Sequence, residues 1–433
     1  VSRSVLKAAR AGSAALVDLD RRVADVVTAV IADVADRGDA AVREYSERFD
    51  SWSPESFRLS HRDIEAALAQ VPAQTLRDIE FAQAQVRTFA EAQLATLGDV
   101  EIETLPGVFL GHRNIPISDV GAYVPGGRYP LLASAHMTAL TAKVAGVPRV
   151  VACTPPDHGR IPPASVAAMH IAGADEILVL GGVQAIAAMA LGTETIRPVH
   201  FIAGPGNAYV AEAKRQLFGR IGIDLVAGPT EILVIADESV DAFTVAVDLL
   251  GQAEHGPDSP AILITPSERL AREVIAEIEA LLPGMPTRDN AEPAWRDHGE
   301  VIVVDSLDEA FVLADEYASE HVEVLVADPR RALSAMSNYG ALFLGDRTSV
   351  PYGDKVIGTN HVLPTRKGAR YTGGLWVGKF LRTVTFQEIR DDSSSALLGE
   401  VCGRLSRAEN FEGHARSGDV RAVRFDRSKI AWA

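Results

Sequence analysis

The sequence predicts an α/β chain with two parallel-sheet domains of similar design and helical segments at both ends. Three observations carry that prediction. Short β-branched runs alternate with helical stretches from about Val120, a second series of the same kind follows the first, and 433 residues that are 47% hydrophobic exceed what one compact core usually holds.

The elements follow in chain order. From Asp20 the apolar residues Val23, Val26, Val27, Val30, Ile31 and Val34 recur at helical spacing, with Gly38 as a stop, so the opening third reads as largely helical. The runs RVVACTPP, EILVLGG, HFIAGPG and EILVIAD read as strands, and ALTAKVAGV and NAYVAEAKRQLFG between them as helices, the rhythm of βαβ units on a parallel sheet. A second series, AILIT, EVIVVD, VEVLVA and ALFLG, is separated by helices near Leu270 to Leu282 and Leu307 to Ser319. From about Leu381 the rhythm stops and basic residues gather: Arg404, Arg407, Arg416, Arg421, Arg424, Arg427 and Lys429. That stretch reads as a helical tail packing on another surface, such as a second copy of the acidic body.

Charge narrows the function classes. With 58 acidic and 42 basic residues the formal charge is -16, which repels phosphate backbones and anionic lipid and argues against a nucleic-acid partner. Cys153 and Cys402 are the only cysteines, as expected of a reducing compartment, and they exclude a cysteine-rich zinc site. Neither an early apolar leader nor a long uncharged apolar window is present, so a soluble cytoplasmic protein is expected.

Three glycine-rich turns follow expected strands: YVPGGRYP, LGGVQA and AGPGNAY. Such turns lie where open α/β sheets bind ligands, and the helix starts there can receive phosphates, although none is a GxGxxG and each can be a plain tight turn. Tyr123, Gln184 and Asn207 sit at these successive strand ends and offer an aromatic face with two amides to a cofactor.

In GQAEHGPDSP, Gln252 and His255 lie three apart at the end of an expected helix from Asp241 to His255, on one face. They can share a metal ion, or be a surface amide and a histidine favoured by the helix terminus. Asp354 in YGDKVIGTNHVLPT and His414 in FEGHAR would complete four ligands. Zinc accepts imidazole and carboxylate, and a neutral, weakly donating glutamine beside one Asp would leave a strong Lewis acid for an alcohol or carbonyl oxygen. In ASEHVEVLV, Glu320 and His321 stand between a helix end and a strand start, where they can work as an acid/base pair or simply close the helix. His361, in GTNHVLPT, has the same standing.

Taken together, GAYVPGG, GGVQAIAA, GPGNAYVAEAKRQ, AGPTEILVIAD, QAEHGPDS, SEHVEVLV, GTNHVLPT and EGHA resemble the histidinol dehydrogenase family over nearly the whole chain and in its order. The resemblance implies two incomplete Rossmann-like domains with helical N- and C-terminal extensions in an intertwined homodimer. The division it suggests is an N-terminal extension over 1–25, a first domain from 26–122 plus 231–380, an NAD-binding domain over 123–230, and a C-terminal tail over 381–433 reaching the partner subunit. It implies a zinc site of Gln252, His255, Asp354 and His414, the last from the other subunit. It further implies NAD contacts from Tyr123, Gln184 and Asn207, an acid/base pair of Glu320 and His321, and a substrate pocket that adds Thr230, His361 and Glu409 to the ligands and His321. The chemistry implied is oxidation of a primary alcohol through an aldehyde to a carboxylate, reducing two NAD in turn.

The sequence departs from the histidinol-oxidising pattern near the metal aspartate. Val350 stands where those enzymes typically have an acid and Lys355 where they have an aromatic, while Ala133 and His136 replace a small hydroxyl residue and an aliphatic. Losing a carboxylate and gaining an ammonium disfavours a cationic substrate and favours an anionic one. These changes are more similar to the sulfopropanediol 3-dehydrogenase branch, which implies a substrate such as 2,3-dihydroxypropane-1-sulfonate, with Lys355, Arg128 or His136 receiving the anionic end. A carboxylate beside Lys355 would instead make it a surface ion pair. Glu409 favours the alternative substrate, L-histidinol; a zinc hydrolase or a metal-stabilised binding protein are readings of other classes.

Overall fold

The computed structural model describes residues 4–10, 13–126 and 130–424. Arg128, a candidate anion receptor, and the tail residues Arg427 and Lys429 therefore lie outside the described residues. In chain order the strands are β1 (Ser4–Lys7), β2 (Val100–Leu105), β3 (Val108–Pro116) and β4 (Asp119–Tyr123). There follow β5 (Arg149–Thr154), β6 (Glu176–Val179), β7 (Phe201–Ala203) and β8 (Gly222–Ile223). The remainder are β9 (Ile232–Ala236), β10 (Ala261–Thr265), β11 (Gly299–Val303), β12 (His321–Leu325), β13 (Ala341–Leu344) and β14 (Leu381–Ile389).

The chain forms two compact units, and the larger, Val1–Leu94 with Ile117–Phe380, holds both expected parallel sheets. One runs β6-β5-β4-β7-β8; the other runs β1-β11-β10-β9-β12-β13, with only β1 antiparallel. In each sheet three strands step one way and the next two start again on the far side of the first. The order thus reverses between β4 and β7 and between β9 and β12. The strand sequences explain the parallel pairing: ILVIA and AILIT are buried at every position, as strands covered by helices on both faces must be.

The opening helix, Ser13–Arg37, turns Val23, Val27, Val30 and Val34 to one side, where they are buried. Each contributes roughly 1.5–3 kcal/mol by leaving water. Their partners are Ile186, Met189, Val210 and Leu217, on helices Gly182–Leu191 and Ala208–Leu217. The first helix therefore covers the β4 sheet, whose strand β4 ends at Tyr123. Gly38 ends the helix at φ +54, and a Cβ there would meet the Glu194 carboxylate at 2.4 Å. That carboxylate accepts from the Asp39 N–H and starts the next helix, Asp39–Asp50.

The smaller unit comprises Ala95–Pro116 and the chain from Leu381 onward. Here a sheet that the sequence did not signal accompanies the helical extensions: β2, β3 and β14 pair antiparallel in the order β14-β3-β2. Two tail helices do follow, Asp392–Ala408 and Glu412–Ala422. They approach at Gly399 and Gly418, where a Cβ on Gly399 would lie 2.4 Å from the Gly418 carbonyl oxygen. Among the described residues no helix is long and apolar enough to cross a membrane.

Candidate active site

The candidate catalytic residues gather at the amino ends of β9 and β12, opposite to where the carboxyl-end rule would put a ligand in that sheet. Glu320 directly precedes β12 and His321 is its first residue, both buried. Glu320 Oε2 accepts from Thr230 Oγ1 at 2.7 Å and from the Glu231 N–H at 2.9 Å, which fixes the carboxylate. His321 Nδ1 lies 2.9 Å from the Glu231 carbonyl oxygen, a contact that places its proton there, and 3.4 Å from Glu320 Oε2. Its Nε2 is buried with no hydrogen-bond partner among the described residues, and Asp354 Oδ1 lies 3.7 Å away. Burial pulls this imidazole down, but the Glu320 and Asp354 carboxylates outweigh it and push the pKa up to about 10.

Helix Ala242–Ala253 delivers the amide and the second histidine. Asp241 caps its start, accepting from the Thr244 N–H, and the helix ends just short of His255, whose N–H donates to the Gln252 carbonyl oxygen. Gln252 is buried, and its Nε2 donates to Thr230 Oγ1 at 2.5 Å, so its oxygen is the atom left for a ligand. His255 is exposed at one edge, and desolvation by the groups around it, aided by Lys355, holds it below its ordinary range against the pull of Asp354.

Asp354 comes from helix Val350–Lys355. Although burial opposes it, the His321 imidazole and the charges of His361 and Lys355 hold its carboxyl down at about 2. His361 Nδ1 faces the Asp354 carbonyl oxygen at 2.9 Å and its Nε2 meets Ser134 Oγ at 3.3 Å. His136, an expected anion receptor, is instead buried against Gln83 Nε2 at 3.1 Å and held down to about 4 by burial, aided by His361; a neutral imidazole there offers no charge to an anion.

Within the larger unit the structure thus brings together Thr230, Gln252, His255, Glu320, His321, Asp354, Lys355 and His361. Glu409 and His414 lie exposed in the smaller unit, with the His414 ring 5.2 Å from that of Phe411. Among the described residues no group of three or more His, Cys, Asp or Glu is assembled as a metal cage. The donors that do converge nonetheless suit a divalent cation: a neutral imidazole, an ionised carboxylate and an amide whose nitrogen is already engaged.

A second cluster forms at the carboxyl edge of the β4 sheet, where the strand order reverses. Tyr123 ends β4, and its hydroxyl accepts from the Gly182 N–H at 3.1 Å. Burial raises its pKa. Gly204, after β7, has φ +129, and a Cβ there would lie 2.1 Å from the Tyr123 carbonyl oxygen, so the backbone closes against the strand only without a side chain. Gln184 is buried and donates to Asp50 Oδ2 at 3.3 Å. Asn207 has a structural duty as well: its Oδ1 caps helix Ala208–Leu217, accepting from the Tyr209 and Val210 N–H groups, which leaves only its amide nitrogen for a cofactor. Helix Gly182–Leu191 starts with no side-chain cap, leaving N–H groups for a phosphate. Both cysteines are free.

Sequence reasoning missed Glu231 and Asp50. Glu231 accepts from the Arg366 N–H and is raised to about 7, chiefly by burial, and its backbone orients both Glu320 and His321. Its signal was a carboxylate directly after Thr230 at the start of an otherwise apolar strand. Asp50 offered no signal beyond its place at a helix end.

Comparison with known proteins agrees with this architecture. The chain is 58% identical over 410 residues to a histidinol dehydrogenase homolog of Shouchella clausii, covering 95% of this chain and 96% of that protein. It is 47% identical over 406 residues to a sulfopropanediol 3-dehydrogenase of Ruegeria pomeroyi, covering 93% of each. The crystal structure of a histidinol dehydrogenase from Elizabethkingia anophelis superposes with a TM-score of 0.87 at 34% identity, covering 92% of this chain and 91% of that one. The family profile for histidinol dehydrogenase matches residues 16–422, and the chain belongs to the histidinol dehydrogenase family.

Proposed function

We propose that the protein oxidises a primary alcohol through an aldehyde to a carboxylate, with zinc and two NAD molecules, on an anionic polyol such as 2,3-dihydroxypropane-1-sulfonate. Gln252, His255 and Asp354 would hold the metal, with His414 of a second copy as the fourth ligand in a homodimer, while Tyr123, Gln184 and Asn207 would hold NAD. When bound, zinc supplies a Lewis acid for the substrate oxygen and NAD the acceptor for each hydride.

The chain's own residues account for the protons. Metal binding at Asp354 would weaken the upward pull of that carboxylate on His321, and in its neutral form His321 keeps one proton at Nδ1 against the Glu231 carbonyl oxygen and presents Nε2, which has no hydrogen-bond partner among the described residues, to the alcohol hydroxyl. Taking that proton makes an imidazolium that Glu320 stabilises. Glu320, held at Oε2 by Thr230 and Glu231, has its other oxygen for the water that adds to the aldehyde. Thr230 bonds both Gln252 and Glu320, tying the acid/base pair to the ligand helix.

Lys355 carries the choice of an anionic substrate. Its positive charge bears on His255, Asp354 and His361 together, and among the described residues it forms no ion pair. At the other end of the same short helix Val350 is 1% exposed, so no carboxylate enters from that position. The relative named sulfopropanediol 3-dehydrogenase supports this reading, whereas the relative named histidinol dehydrogenase homolog and the retained Glu409 favour L-histidinol. Parallel assays of NADH formation by the zinc-loaded protein decide between them. Turnover of dihydroxypropanesulfonate well above L-histidinol is expected; the reverse overturns the substrate assignment.

A further inference from the structure

Behind the acid/base pair a buried acid of the second sheet meets a half-buried one. Glu323, the third residue of β12, points to the same face as His321 two residues earlier. It has no exposed surface, and among the described residues neither carboxylate oxygen has a hydrogen-bond donor. The polar side chain against it is another carboxyl, that of Asp248 on helix Ala242–Ala253. The Val350 N–H faces Glu323 without reaching hydrogen-bond geometry, and the His321 imidazole bears on it.

Two carboxylates cannot bond each other unless a proton lies between them, and a lone buried anion without a donor is costly. Burial raises both groups, Asp248 to about 6 and Glu323 well above the usual carboxylate range, with Asp248 adding to the latter. The elements that meet at the pair are those that carry the site. Asp248 stands one helical turn before Gln252, Glu323 two residues after His321, and Val350 opens the helix that bears Asp354.

We propose that Asp248 and Glu323 share one proton and so act as positioning residues, bonding the ligand-bearing helix to β12 and setting the spacing of Gln252, Asp354 and His321. The inference rests on the metal reading of that site. The zinc affinity of the full chain, measured by competition with a chromophoric chelator, tests it. Glu323→Gln supplies an amide donor to Asp248 and retains the parent affinity, whereas Glu323→Met weakens it about 10- to 100-fold at unchanged circular dichroism, as loss of outer support does elsewhere. A folded Glu323→Met protein that holds zinc as the parent does overturns the proposal. A pH series decides the matter should that variant not fold: parent affinity falls as the shared proton leaves at alkaline pH, and that fall is absent from Glu323→Gln. Superimposable pH profiles overturn it. A parent that binds no zinc overturns the metal reading itself, and this inference with it, an outcome distinct from equal binding by parent and variants.

Discussion

His321 Nε2 lies 3.7 Å from Asp354 Oδ1, buried and without a hydrogen-bond partner among the described residues, while its Nδ1 is engaged by the Glu231 carbonyl oxygen. One imidazole nitrogen is thus fixed by the backbone and the other faces the carboxylate assigned to the metal, the arrangement a proton-accepting residue beside a bound alcohol needs.

His321→Ala and Glu320→Gln should each lower the rate of NADH formation roughly 100- to 10,000-fold, the usual share of general acid–base catalysis. Zinc content should stay at the parent level, because neither residue is an assigned ligand. Turnover and metal analysis on the same preparations check this.

Lys355→Tyr should raise the Michaelis constant for an anionic substrate about tenfold, near 1.4 kcal/mol of lost attraction. An unchanged constant would remove Lys355 as the anion receptor.

His136 should make the fold acid-sensitive. Its pKa is depressed to about 4 when folded, so between that pH and the unfolded value the unfolded chain binds more protons. The contribution is complete above the unfolded pKa of about 6.5 and is lost as pH falls, roughly 3 kcal/mol in all. Urea midpoints measured across this range should fall less steeply with acid in His136→Leu than in the parent.

Lys214 and Asp224 form a buried ion pair on which the Gly204 turn hangs: Lys214 Nζ donates to the Gly204 carbonyl oxygen at 2.9 Å and Asp224 Oδ2 accepts from its N–H at 2.7 Å. Lys214→Met leaves a buried carboxylate uncompensated and should cost about 3–5 kcal/mol in denaturant unfolding. The weakened Gly204 turn should also raise the Michaelis constant for NAD.

The two parallel sheets were legible in the sequence because their strands are buried on both faces and read as unbroken β-branched runs, as in AILIT and EILVIAD. Ser13–Arg37 was legible as a helix, but not the sheet it covers, since valines spaced by three and four specify a face and not its partner. The antiparallel β2-β3-β14 sheet escaped because its strands are mostly solvent-exposed and their alternation in VEIETL and LRTVTFQEI is diluted by charged residues. At the site, motif residues gave Glu320, His321 and Asp354, whereas Glu231 acts largely through backbone atoms and Asp248 meets Glu323 only through the folding of a helix onto a strand.

The most direct measurement is the yield of NADH per alcohol consumed by zinc-loaded protein with limiting substrate and excess NAD. Two NADH per alcohol with the carboxylate as product, and none after the metal is stripped, is the predicted result. One NADH per alcohol with the aldehyde released, or the same yield from the stripped protein, would contradict the account.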